Sequence, residues 1–122
     1  MERRSDDRSG ELCPTPDADG AQIEALRERL LDVAGLSELF RVLADETRTK
    51  ILYLLAQEEL CVHDLAQILD LTLPTISHHL RLMRLMRLVK SRRDGRHVYY
   101  ALADDHVLQL IQTAQEHYQE EE

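Results

Sequence analysis

The stretch from residue 62 to residue 102 admits few folds. VHDLAQIL, residues 62–69, has the spacing of a short amphipathic helix, and DLTL separates it from a second helical run over about 74–87. Thr72 stands where an N-cap belongs, and Pro74 falls in the first turn, the part of a helix that tolerates proline. Within the second run Ile76, Leu80 and Met83, at i, i+4 and i+7, form the face that turns inward. Directly after it LVKSRR and RHVYYAL alternate about Asp94-Gly95, a dipeptide that closes two-residue hairpins. Two helices across a short turn, followed by a hairpin, make a winged helix-turn-helix, whose second helix is shaped to enter a DNA major groove. The expected fold is mainly α with a small β-hairpin wing.

Residues 1 to about 20 are rich in Arg, Asp, Ser, Pro and Gly without apolar period, the composition of a flexible arm. A helix over about 21–34 carries Ile23, Leu26, Leu30 and Val33 and stops at Gly35. A short helix over about 36–44 turns Leu36, Leu39, Phe40 and Leu43 inward, and Asp45 caps a third that contains Ile51, Leu52, Leu54 and Leu55. The expected organisation is an arm, 1–20, and one winged helix-turn-helix domain, 21–122. A chain of 122 residues supports one modest core, which gains from dimerisation. It has no apolar run of membrane-spanning length and a charged, polar beginning, so the expectation is a soluble cytoplasmic protein without membrane contact. Two cysteines, Cys13 and Cys61, are too few for a disulfide framework and suit free thiols or thiolate ligands in a reducing compartment.

A net charge of −8 argues at first against nucleic acid. Its distribution reverses that. Residues 78–98 hold Arg81, Arg84, Arg87, Lys90, Arg92, Arg93 and Arg96 against Asp94 alone, a local +6 that leaves −14 for the rest. A basic segment on an acidic body is the footprint of a DNA-binding face, and the acidic remainder limits non-specific association.

The last twenty residues carry a ligand pattern that one copy of the chain cannot use. Asp104 and His106 lie near the start of a helix, His117 and Glu120 near its end. At 100° per residue the two histidines share a face, about 20° apart in azimuth but about 16 Å apart along the axis. Metal–ligand bonds are about 2 Å long, so one ion cannot span that gap. Two such helices packed antiparallel would bring Asp104 and His106 of one chain to His117 and Glu120 of the other, giving two symmetric sites across a twofold axis. A terminal helix rich in Asp, Glu and His is ordinarily a solvated face. Here Val107, Leu110, Ile111, Ala114 and Tyr118 form an apolar stripe with both histidines along its edge, where ligands at a helix–helix interface would sit. Two imidazoles and two carboxylates suit Zn²⁺, with Co²⁺ as surrogate. The interface is expected to include the terminal and the first helix, with Val107, Leu110, Ile111 and Ala114 buried only when two chains are present.

ELCVHDLAQ, the SHHLRLMRLMRLV run, the DGRHVYYAL wing and the DDH…EH..E terminus together resemble the ArsR/SmtB family of bacterial metal-sensing repressors, especially its zinc-responsive branch, over about residues 36–120. The resemblance implies a homodimeric winged helix that holds operator DNA when metal-free and lets go when metal binds. It carries the family's terminal-helix site onto Asp104, His106, His117 and Glu120. It also implies a second site at Cys61, His63 and Asp64, with a fourth ligand from the other subunit's arm, for which Cys13 is the one available thiol. Such a site would take Cd²⁺ or Pb²⁺, although His63 in place of a second cysteine departs from the thiolate-rich pattern and lowers its softness. By position, Thr75, Ser77, His78 and Arg81 would reach base edges or phosphate, and Arg92, Arg93 and Arg96 of the wing, with His97, phosphate or minor groove.

Two other functional classes bear on such a chain. A metalloenzyme needs an open coordination position and a cleft, whereas four protein ligands fill a tetrahedral site and little chain is left for a pocket. A thiol- or redox-responsive repressor on the same fold would use Cys13 and Cys61 as its switch, and would have no need of the four-ligand terminal set.

Overall fold

The computed structural model describes residues 20–120. Gly35, at φ +87, separates two units. The first contains α1, Gly20–Arg29, which tightens into a 3-10 turn over Leu30–Val33. The helix expected over 21–34 thus ends early as an α-helix, its last turn wound more tightly, a common way for a terminus to satisfy its carbonyls.

In the second unit α2, Leu36–Leu43, leads into α3, Glu46–Gln57. Asp45 caps α3 as expected, its carboxylate accepting from the Arg48 amide at 3.0 Å. A strand absent from the sequence reading follows: β1, Leu60–Cys61, two residues long. Then come α4, Val62–Leu69, α5, Leu73–Leu85, the hairpin β2, Val89–Asp94, with β3, His97–Leu102, and the terminal helix α6, Asp105–Gln119. The three strands form an antiparallel sheet in the order β1-β3-β2, with Leu60 opposite Tyr100 and Cys61 opposite Tyr99. The fold is the winged helix-turn-helix read from the sequence.

The core sits where α3, α4, α5 and the root of the wing meet. Ile51, Leu52 and Leu55 of α3, Leu65 of α4, Ile76, Leu80 and Met83 of α5, then Leu88, Val89 and Val107 form one buried cluster. The i, i+4, i+7 face of α5 is therefore its buried face, which turns the intervening residues toward solvent. Thr72 caps α5 by accepting from the Thr75 amide at 3.3 Å, with Pro74 in the first turn. The helix ends at Leu85 rather than 87 because Arg87 adopts a left-handed φ of +60. Arg87 N–H then bonds to Arg84 O, and Leu88 N–H to Met83 O at 2.8 Å, the paired closure of a Schellman motif. That closure aims Leu88 and Val89 into the core and starts the wing.

The hairpin turns one residue later than expected. Asp94 pairs with His97, so Gly95 and Arg96 are the two loop residues, Gly95 at φ +66.

Candidate functional site

On α5, Thr75, His78 and Arg81 are exposed and Ser77 is half-buried. His78 and Arg81 stand on the side away from Ile76, Leu80 and Met83, and Thr75 and Ser77 flank that buried face, so the core contacts that seat the helix also present these four. Thr75 Oγ1 accepts from the Thr72 hydroxyl at 2.9 Å. Arg84 is exposed one turn further on.

In the wing, Arg93 and Arg96 are exposed, as is His97, whose ring lies 6.0 Å from that of Tyr99. Arg92 differs. Its Nε and Nη2 donate to the two carboxylate oxygens of Glu59 at 2.9 and 2.7 Å, and its guanidinium lies 4.9 Å from the Tyr99 ring centroid. The hydrogen bond to Glu59 raises the Arg92 pKa, and the same bond holds the Glu59 carboxyl below its ordinary value. Sequence reading placed Arg92 with the phosphate contacts; its fork is already engaged by Glu59, which a phosphate must displace.

At the terminus, Asp104 is the N-cap of α6, its Oδ1 accepting from the Val107 amide at 3.0 Å. His106 is almost fully exposed, with Nδ1 3.8 Å from that same Oδ1. His117 and Glu120 are exposed at the other end, where the Glu120 amide bonds to the His117 carbonyl and closes the helix. The two pairs stay at opposite ends of a fifteen-residue helix. Among the described residues no group of three or more His, Cys, Asp or Glu side chains stands close enough together to hold an ion.

The second ligand set is not assembled within one chain. Cys61 is buried in β1, 7 % exposed, whereas His63 and Asp64 are exposed in the first turn of α4. Cys13, like the arm, lies outside the described residues.

The terminal stripe is divided. Val107 is 8 % exposed within one chain, packed in the chain's own core, which corrects the expectation that it is buried only in a dimer. Leu110, Ala114 and Tyr118 remain exposed, Tyr118 at 89 %. Tyr118, His117, Ile111 and Ala114 border an apolar groove of about 750 Å³, closed on its other sides by Tyr53 and Leu54 of α3 and Ile68 and Leu69 of α4.

One contact escaped the sequence reading altogether. Arg48 Nη1 stands 3.2 Å from Nδ1 of His79, joining the start of α3 to the middle of α5. Partial burial lowers the His79 pKa, Asp45 opposes that, and Arg48 and His78 add to it. Asp45 is lowered in turn, chiefly by the Arg48 amide that it accepts from. No local pattern announces a pair 31 positions apart.

Comparison with known proteins agrees with this geometry. Residues 45–91 match the profile of the arsR family of bacterial regulatory proteins. A transcriptional repressor SmtB homolog from Synechocystis sp. is 39% identical over 112 residues, covering 89% of this chain and 85% of that protein. A cadmium resistance transcriptional regulatory protein CadC homolog from Staphylococcus aureus is 43% identical, covering 82% of this chain and 81% of that protein. The homodimeric winged helix-turn-helix DNA-binding domain Mb0332 from Mycobacterium bovis, solved by NMR, superposes with a TM-score of 0.60 at 28% identity, over 91% of this chain and all of that one.

Proposed function

Since the chain belongs to the ArsR family of bacterial regulatory proteins, we propose that it is a homodimeric transcriptional repressor that holds operator DNA when metal-free and releases it on binding Zn²⁺. The observation that carries the metal reading is α6 itself, whose two imidazole–carboxylate pairs share a helix but lie a helix length apart. Asp104 and His106 of one chain with His117 and Glu120 of the partner subunit make a four-ligand N/O site, suited to Zn²⁺ and Co²⁺. The Mycobacterium bovis domain, described as homodimeric, supports the twofold arrangement. The relatives are named as a transcriptional repressor and as a cadmium resistance transcriptional regulatory protein, not as enzymes. Cd²⁺ or Pb²⁺ would enter at Cys61, His63 and Asp64 with Cys13 of the partner subunit.

Release requires a coupling free energy: metal must bind the DNA-free dimer more tightly than the DNA-bound one. Ligands drawn from both subunits supply a route, because closing the site fixes the angle between the two α6 helices and so the spacing of the two α5 helices. Thr75, Ser77, His78 and Arg81 read the major groove in this scheme, and Arg93 and Arg96 hold the flanking backbone.

The test is a DNA-binding titration on a duplex that the wild-type chain selects from a random-sequence pool, with chelator or with Zn²⁺. Zn²⁺ lowers the affinity of the wild-type and Cys61→Ser proteins and leaves His106→Gln bound. Equal wild-type affinity in chelator and in Zn²⁺ would refute the reading. A thiol-responsive repressor using Cys13 and Cys61 is the second reading; it would respond to oxidant and reductant in the same assay, and the burial of Cys61 disfavours it.

A further inference from the structure

A polar link ties the α2–α3 corner to the reading helix. Arg48, in the first turn of α3, donates Nε to the Val42 carbonyl at 2.7 Å, and its backbone amide is held by the Asp45 carboxylate. The guanidinium is thus fixed at its root and along its length before Nη1 meets His79 Nδ1 on α5. Arginine has donors and no acceptor, so Nδ1 must be unprotonated and accept, which puts the ring proton of neutral His79 on Nε2. His79 is half-buried, whereas its neighbour His78 is exposed on the face assigned to DNA.

We propose that Arg48 and His79 form a strut that sets the orientation of the recognition helix, and that only neutral His79 completes it, so that operator binding weakens when His79 is protonated. This rests on the reading of α5 as the helix that enters DNA. An imidazolium carries N–H groups on both nitrogens, so its Nδ1–H would confront an Arg48 N–H and a like charge, and one side chain must withdraw. The charged and titratable groups facing the ring are Asp45 at the α3 cap, Arg48 on α3 and His78 on its own helix. Asp45 favours the imidazolium, while partial burial, Arg48 and His78 disfavour it; together they hold the His79 pKa below the ordinary histidine value. The strut is therefore intact at neutral pH and fails on the acid side.

The experiment uses the full-length protein in chelator, the selected duplex described above, and the variants His79→Asn and His79→Leu. Asparagine places an oxygen acceptor near the Nδ1 position and does not titrate; leucine fills the space without an acceptor. At about pH 8 the leucine variant should bind about tenfold more weakly, the equivalent of ~1.4 kcal/mol, while asparagine recovers most of that loss. Between about pH 8 and about pH 5.5 the wild type should lose affinity relative to His79→Asn, a ratio from which the shared histidines cancel. Leucine binding as well as asparagine, or a ratio flat with pH, would overturn the proposal. So would a salt-dependence slope that falls by about one in both variants, which would make His79 a phosphate ligand. Independently of DNA, ring ¹⁵N NMR should show His79 Nδ1 unprotonated at neutral pH; a proton there overturns the strut. If the wild-type chain selects no duplex, the reading of α5 fails and takes the proposal with it, while the ring spectrum still reports whether the link exists.

Discussion

Arg87 occupies a backbone conformation that an L side chain adopts at a cost. Its φ of +60 lies in the left-handed region, where glycine is the usual occupant after a helix, and it is held there by the two hydrogen bonds that close α5 onto Leu88. Arg87→Gly should raise stability by about 0.5–1 kcal/mol, a rise of several degrees in Tm at fixed protein concentration. An unchanged or lowered Tm would mean that the arginine side chain contributes more than its backbone conformation costs. Asp70, at φ +57 after α4, closes its helix by the same pair of bonds, but aspartate tolerates that region better. Neither stop is a glycine, which is why the sequence carries α5 two residues past its end at Leu85, while its start, with Thr72 as cap and Pro74 in the first turn, is legible. Cys61 illustrates a different limit. Its residue type suggests a ligand, and only the structure reports that it is buried in a strand opposite Tyr99. Cobalt binding at two metals per chain should give a thiolate-to-metal charge-transfer band that Cys61→Ser abolishes; without the band the thiol is a core residue.

At the level of elements, helices were easier to read than the sheet. Amphipathic spacing marks α3, α4 and α5 because each buries one face in the same cluster, and Ile76, Leu80 and Met83 lie where that period puts them. Strand β1 has two residues and no alternation to detect; it exists because Leu60 and Cys61 pair with the free edge of β3. The wing was legible as a hairpin, but not which of its arginines is already paired. That pairing ranks their effects. Arg93→Ala and Arg96→Ala should each weaken operator binding and lower the magnitude of its salt slope by about one, the signature of a lost phosphate contact. Arg92→Ala should change the slope less, since Glu59 holds its fork with both oxygens, and Glu59→Gln should steepen it by freeing Arg92. Equal slopes for all three arginine variants would show that Glu59 yields to phosphate without cost.

For the whole molecule, the ligand pattern is legible in the sequence, and one chain keeps its two halves at opposite ends of α6, so the proposed sharing across a twofold axis is a matter of two copies rather than of one. Helix α6 caps itself with Asp104, commits Val107 to the core of its own chain, and leaves Leu110, Ala114 and Tyr118 open to a second copy. Leu110→Lys should therefore shift the protein toward monomer in sedimentation, since a buried ammonium at a twofold interface has no partner. If the same interface also builds the metal site, its four ligands are shared between two chains. The sharing itself is tested between chains. A His106→Gln homodimer and a His117→Gln homodimer each carry two sites with one ligand missing. A heterodimer of the two variants carries one complete site and one lacking both histidines, provided that ligands cross the axis. It should therefore bind a single Zn²⁺ with wild-type affinity, well above either homodimer, while dimerisation and apo DNA binding remain close to wild type. A heterodimer that binds no more tightly than the homodimers would mean that His106 and His117 do not meet across the axis. Metal could then not fix the angle between the α6 helices by this route, and the proposed coupling of zinc to operator release would fail.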